Sequence, residues 1–156
     1  VRAIEAGKNK AKEFKINEKM VKYRLSAEDI KNNKHLEDEY KTGIEPFSGE
    51  QFILLNPENG TGKRAEKIFR KHKITPNVCF YLDQQITAYN TASRGLGITF
   101  VGDTLIKNIS KNDDMYFYVL SDEEIKRNIY FYIKNNRYLS LACSKFIEYN
   151  FVTTKK

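Results

Sequence analysis

The chain has 156 residues, 40 % of them hydrophobic, and a formal net charge of +7 from 27 Lys and Arg against 20 Asp and Glu. The 13 % aromatic content, carried by 10 Tyr and 10 Phe without Trp, excludes a disordered segment and suffices for one domain with a sizeable core. No apolar run approaches the roughly 18 residues of a membrane span, and the two Cys and two His show no metal-ligand spacing, so neither a metal nor a cofactor is expected.

The basic balance attracts nucleic acid or acidic ligands without specificity. The lysines, however, are scattered and usually neighbour Glu or Asp, and the densest clusters, Lys8-Asn9-Lys10-Ala11-Lys12 and Arg70-Lys71-His72-Lys73, read as solvated faces. Cys79 and Cys143 both lie in apolar surroundings and are expected as buried, reduced thiols of a cytoplasmic protein. Val1 opens no signal-peptide pattern, and the missing initiator Met implies a chain cut from, or processed out of, something longer.

In chain order, Val1 to Ile4 reads as a short strand, and Glu18 to Tyr23 as a polar turn or short helix. Ser26 stands at an N-cap position with acids in the turn that follows, so a helix is expected to begin there. Lys31 to Ser48, polar and carrying Gly43 and Pro46, reads as loop. Gln51 to Leu55 is a compact apolar run, a buried strand. Asn56 to Gly62 is dense in Asn, Pro and Gly and predicts a turn, followed by a helix from Lys63 to His72 with Ala65, Ile68 and Phe69 on one face.

Val78 to Leu82 is the next strand. Asp83 can cap a helix running to Arg94, with Ile86, Tyr89 or Asn90, and Ser93 facing inward and Gly95 ending it. Ile98 to Val101 is a strand, Asp103 to Ile106 begins a short helix, and Met115 to Leu120 is a strand with alternating aromatics. Asp122-Glu123-Glu124 makes a turn. Arg127 to Lys134 reads as a strand, and Ser140 to Tyr149 as a closing amphipathic helix with Leu141, Phe146 and Ile147 on its apolar face.

Strands separated by helices of about ten residues argue for an α/β sheet, mostly parallel, with right-handed crossovers. Ligands of such sheets sit beyond the carboxyl ends of the strands. Three loops qualify: Asn56 to Gly62, Asp83 to Gln85, and Gly102-Asp103-Thr104. A helix N-terminus at a sheet edge offers unpaired N–H groups and a positive dipole end, which suits an anion or a polar small molecule.

Catalytic patterns are missing. Gly60-Thr61-Gly62-Lys63-Arg64 approaches a phosphate loop, but the first Gly of G-x-x-x-x-G-K-[ST] is not in place and Arg64 follows the Lys. No G-x-S-x-G occurs. His35 lies in a polar loop, and His72 at a basic helix end where it can serve the dipole. Glu37-Asp38-Glu39 and Asp113-Asp114 lack an apolar setting that would tune an acid or base.

Taken in order, Phe52-Ile53-Leu54-Leu55, the helix through Arg64 to Phe69, Pro76, Asp83-Gln84-Gln85 with Thr87-Ala88, Gly95-Leu96-Gly97-Ile98 with Phe100, and Asp103-Thr104-Leu105-Ile106 resemble the effector-binding domain of LysR-type transcriptional regulators. Arg127 to Tyr130 and Arg137 to Ser140, leading to Phe146-Ile147, fit the ending of that domain. The resemblance implies a three-layer α/β lobe with a mixed, mostly parallel sheet, similar to type II periplasmic binding proteins. It implies a non-catalytic, cytoplasmic sensor of a small-molecule effector that forms homo-oligomers. Contact with DNA would come only through a winged helix-turn-helix segment not found in this chain.

On that resemblance residues 1–156 are a partial effector-binding domain, approximately 5–126 the second lobe and 127–156 the returning hinge strand and closing helix, with much of the first lobe missing. The effector contacts it implies are Asn56, Asp83, Gln84, Gln85 and Ile86. The competing readings are a solute-binding lobe of a transport protein and a stand-alone basic nucleic-acid-binding module.

Overall fold

Side chains alternate across a strand, and three short apolar runs here are apolar at nearly every position, so each has two faces to bury. In a computed structural model of the chain, which describes residues 2–5, 18–109, 115–125, 132 and 138–152, these runs are the strands β3 (Gln51–Leu55), β5 (Ile98–Val101) and β6 (Tyr116–Leu120). Around them lie β1 (Arg2–Glu5), α1 (Ala27–Lys31), β2 (Lys41–Thr42), α2 (Gly60–Lys71), β4 (Asn77–Leu82), α3 (Gln85–Ala92), α4 (Asp103–Asn108) and α5 (Leu141–Val152).

The six strands form one sheet in the order β2-β6-β1-β5-β3-β4. β4, β3 and β5 are parallel neighbours, as are β6 and β2, while β1 runs antiparallel to both β5 and β6. Opposite faces of the same strands feed two cores. Phe52, Leu54, Ile98, Phe100, Tyr118 and Leu120 pack with Ala65, Ile68 and Phe69 of α2 and with Ile44 and Phe47. Ile53, Leu55, Val101, Phe117 and Val119 pack with Ile30 of α1, Ala88, Tyr89 and Ala92 of α3, and Ile106 of α4. The result is the three-layer, mixed and mostly parallel α/β lobe expected from the sequence.

Handedness explains the sides. The chain moves outward from β3 to β4 through α2, then back across β3 to β5 through α3. Right-handed crossovers in opposite directions must lie on opposite faces, and the two cores show that they do. The α2 core carries linked aromatic pairs: the Phe52 ring meets Phe69 edge-on at 4.9 Å and stacks on Phe100 at 6.1 Å, and Phe47 meets Tyr118 at 5.0 Å. Each such pair adds about 0.5–1.5 kcal/mol beyond area burial. α1 begins as its sequence predicts. Ser26 Oγ accepts from the Asp29 amide at 3.1 Å, and the Asp29 carboxylate accepts from the Ser26 amide at 2.9 Å. The Lys34 ammonium first, then the Ser26 amide, hold the Asp29 carboxyl at about 2.

Gly97 shows why a glycine ends the α3–β5 link. Its φ is +151°, and a Cβ there would sit 2.8 Å from the Gln51 carbonyl oxygen. α3 ends at Ala92, two residues before the expected end at Arg94, with Ser93 as its C-cap; Gly95, at φ 80°, lies in the turn beyond it.

Several readings need correction. Residues 31–48 are not simply loop. They hold the edge strand β2, three 3₁₀ turns and the buried side chains of His35, Thr42, Ile44 and Phe47, because tertiary burial rewards isolated apolar residues that show no period. α2 starts at Gly60, three residues before the expected start at Lys63, with Asn59 as its cap. Asp83 does not cap α3; Gln84 stands at the N-cap and makes no side-chain cap bond. The inward face of α3 is Ala88, Tyr89 and Ala92, while Ile86 and Asn90 are exposed. Ala88, Tyr89 and Ala92 pack in one core with Ile53, Leu55 and Val101 of the sheet.

The closing helix α5 is present, but Leu141 and Phe146 are 74 % and 56 % exposed, so neither belongs to the two cores built on the sheet. Cys143 is likewise exposed, not buried. Cys79 is half-buried, its Sγ 3.2 Å from the Phe52 carbonyl, and burial pushes its thiol up. The readings for residues 6–17, Asp113-Asp114 and the strand Arg127 to Lys134 lie outside the described residues, apart from the exposed Tyr132.

Candidate functional site

Three parallel neighbours, β4, β3 and β5, end side by side, so the loops that leave them gather at one rim of the sheet. The helix after β3 goes to one face, and those after β4 and β5 go to the other. This is the switch-point arrangement in which α/β sheets open a crevice.

Side chains tie the loops together. The Asn56 backbone N–H donates to the Leu82 carbonyl at 2.9 Å, continuing the β3–β4 ladder by one bond. The Asn56 side-chain amide donates to the Asp83 carboxylate. Asn59 acts at both ends: its Oδ1 accepts from the Thr61 amide at 2.8 Å, which caps α2, and its Nδ2 donates to the Asp83 carbonyl at 3.5 Å. Thr61 is buried, and its Oγ1 accepts from Gln85 Nε2 at 2.7 Å and from Arg64 Nη2 at 3.1 Å. The N-termini of α2 and α3 are thereby fastened to each other.

Close approach of α2 to the strand end depends on Gly62. A Cβ there would lie 2.3 Å from the Asn56 carbonyl oxygen and 2.5 Å from that of Leu55. Above these ties an open hollow of about 650 Å³ is lined by Asn56, Pro57, Glu58, Asn59 and Asp83. The lining offers amide donors and acceptors, two carboxylates and the amino end of a helix, groups that can form directed hydrogen bonds to a polar small molecule. The third loop is adjacent: a Cβ on Gly102 would meet Gln85 Oε1 at 3.8 Å. Behind it the buried His35 places Nε2 3.9 Å from Asp103 Oδ2 at the start of α4. Among the described residues no cluster of His, Cys, Asp and Glu has the geometry to hold a metal ion.

Of the five residues singled out from the sequence, Asn56 and Asp83 line the hollow. Gln85 points instead to Thr61 and braces the loops from beneath. Gln84 is exposed beside them at the head of α3, and Ile86 is exposed, 41 %, and lines no part of the hollow. Asn59 and Thr61 were missed as individual contacts. Their signal was present: Asn followed by Gly-Thr-Gly ahead of an apolar helical stripe is a cap pattern, obscured by two helix-weakening glycines. The burial of His35 left no signal, since it sits in a mostly polar stretch whose one apolar neighbour, Leu36, is itself exposed.

A family model, the LysR substrate binding domain, matches residues 32–150. Two solved structures are similar. The regulatory domain of Synechocystis PCC6803 CcmR in complex with 2-PG has a TM-score of 0.61 at 19 % identity, over 74 % of this chain and 56 % of that one. The effector binding domain of QuiR in complex with shikimate has a TM-score of 0.50 at 14 % identity, over 99 % of this chain and 61 % of that one. The chain thus spans little more than half the length of these neighbours, and at such identities the likeness is one of fold. No curated protein sequence matches the chain.

Proposed function

Because this chain belongs to the LysR substrate binding domain family, we propose that it is a small-molecule-sensing, non-catalytic part of a cytoplasmic LysR-type regulator. The effector docks over the rim where Asn56, Asn59 and Asp83 meet. The observation that carries this reading is the cross-bracing of the loops after β3 and β4, which holds polar groups in a fixed array around an open hollow. A preorganised polar array binds a matching ligand without the cost of ordering it first. That the neighbouring domains were solved with 2-PG and shikimate supports a small ligand here as well.

On this reading residues 5–126 form the second lobe, and residues 127–156 form the returning hinge strand and closing helix. The facing wall of the cleft, the DNA-binding segment and the homo-oligomeric contacts belong to the assembled regulator. Among the described residues no helix is long and apolar enough to cross a membrane.

The test is thermal unfolding of the chain against small acids, amino acids and metabolites, with 2-PG and shikimate in the panel. A ligand that binds only the folded state raises the midpoint with its concentration. Asp83→Ala and Asn56→Ala are expected to remove most of that rise while leaving the ligand-free midpoint nearly in place. A ligand response untouched by both substitutions would move the site elsewhere, and silence across the panel would count against a self-sufficient site on this lobe.

A further inference from the structure

A second cluster of polar groups shares no residue with the effector rim. His72 closes the C-terminal end of α2, and its imidazole is bonded at both nitrogens. Nδ1 lies 2.6 Å from Glu45 Oε1, in the 3₁₀ turn Glu45–Phe47. Nε2 lies 2.7 Å from Asp122 Oδ2, in the chain leaving β6. The carboxylates differ in setting: the Asp122 side chain is 7 % exposed and that of Glu45 60 %.

Backbone N–H groups and neighbouring charges together hold both carboxyls below their ordinary values. Asp122 also accepts from Lys71 Nζ at 3.2 Å and from the Glu124 amide at 2.9 Å. Glu124 in turn faces Lys67 at 3.4 Å. Burial pushes the Asp122 carboxyl up, but the Glu124 amide, His72 and Lys71 outweigh it and hold it below the ordinary value. Glu45 is held low chiefly by its own backbone N–H and then by His72, against the effect of burial. Beneath the cluster, between Ile44, Ile68 and Leu120, is a cavity of about 30 Å³, about large enough for one water.

A neutral imidazole has one donor and one acceptor nitrogen. Set between two carboxylates at these distances, its acceptor lone pair would face an anionic oxygen. Only the doubly protonated ring donates to both. We propose that His72 is a proton-operated pin: with its second proton it ties α2 to the Glu45–Phe47 turn and to the exit of β6, and without it the Glu45 turn is released.

The direction of release follows from exposure. When one proton leaves, the remaining one stays on Nε2, where the nearly buried Asp122 needs its donor most. Nδ1 is then left as an acceptor against Glu45, whose carboxylate can turn to water. The Glu45 turn carries Phe47, fully buried against Tyr118, so the proton on His72 reports to the core that backs α2. The Asp122 bond first, opposed by burial and assisted by Glu45, raises the imidazole above its ordinary value. A group raised on folding contributes stability that is complete below its unfolded pKa, near 6.5, and lost as pH climbs through the folded one. The window of release therefore lies on the neutral-to-alkaline side.

The chain carries only two histidines, so the ring protons of His72 can be followed by NMR and assigned by their loss in His72→Gln. The wild-type midpoint is expected above the ordinary value of about 6.5, and about half a unit or more lower in the surface variant Glu45→Gln. The stability difference between wild type and His72→Gln is expected to be present near pH 6 and to fade toward about pH 9. A wild-type midpoint at or below the ordinary value, no change in Glu45→Gln, or a stability difference independent of pH would overturn the proposal. The wild-type and Glu45→Gln titrations stand even where a variant at the nearly buried Asp122 fails to fold. None of these readouts depends on an effector.

Discussion

Gly62→Ala tests how α2 meets the strand end. The added Cβ would lie 2.3 Å from Asn56 O, 2.5 Å from Leu55 O and 2.9 Å from the Asn56 carbonyl carbon. Ordinary contacts of this kind need about 3.5 Å, so helix and strand end must part by roughly 1 Å. All three obstructing atoms are backbone, so no side-chain rotation relieves them. Parting strains the Asn59 cap at 2.8 Å and the Thr61–Gln85 bond at 2.7 Å. Overpacking costs about 1–3 kcal/mol and a weakened cap about 1 more, against a gain of at most about 1 from replacing glycine in a helix. The net expectation is a loss of about 1–3 kcal/mol. With a urea slope of about 2 kcal/mol/M, the denaturation midpoint should fall by about 0.5–1.5 M. Gly60→Ala is the matched control, since its Cβ would meet only Arg64 Nη1 at 3.6 Å, and it should be neutral or slightly stabilising. Equal midpoints for the two variants would refute the close approach on which the rim geometry rests.

Asn59→Ala removes the α2 cap and one tie to Asp83; it should cost about 1 kcal/mol in chemical denaturation and weaken any ligand response in the same protein. Asp29 is held at about 2, so its contribution is present above its ordinary value of 3.8 and lost as pH falls toward 2. With solvent screening of the half-exposed Lys34, it amounts to something on the order of 1 kcal/mol. Denaturation of Asp29→Asn beside the wild type from about pH 5 downward should show the two converging; parallel curves would contradict the assignment. Phe146→Ser on the exposed face of α5 should change stability by less than about 0.5 kcal/mol, and a loss of several times that would mean the face is covered in solution.

Most of the sheet was readable from local pattern. Phe52 to Leu55 and Phe117 to Leu120 are apolar or aromatic throughout, and Ile98 to Val101 is broken only by Thr99, whose hydroxyl donates to the Ile53 carbonyl; such runs are what a strand buried on both faces needs. Ser26 with Asp29 three residues on marked the start of α1 by a bond the two residues make with each other. The rim was legible because strand ends are predictable: once β3 and β4 are placed, the loops at Asn56 and Asp83 must lie at the same end of a parallel pair. Roles within the rim were less legible. Asp83 has the chemistry of a cap, but Asn56, 27 residues earlier in the chain, competes for its carboxylate. Gln85 has the chemistry of a ligand contact, but the buried Thr61 hydroxyl takes its amide.

The sequence by itself determined the α/β class, the described strands other than the edge strand β2, and the end of the sheet where polar loops collect, because each depends on composition and spacing within a few residues. Only the tertiary structure decided which polar groups satisfy one another: Asn56 with Asp83, Thr61 with Gln85, and His72 between Glu45 and Asp122. Those partners are 24 to 50 residues apart. A hydrogen bond depends on distance and angle in space, which chain order does not encode until the core has folded around it.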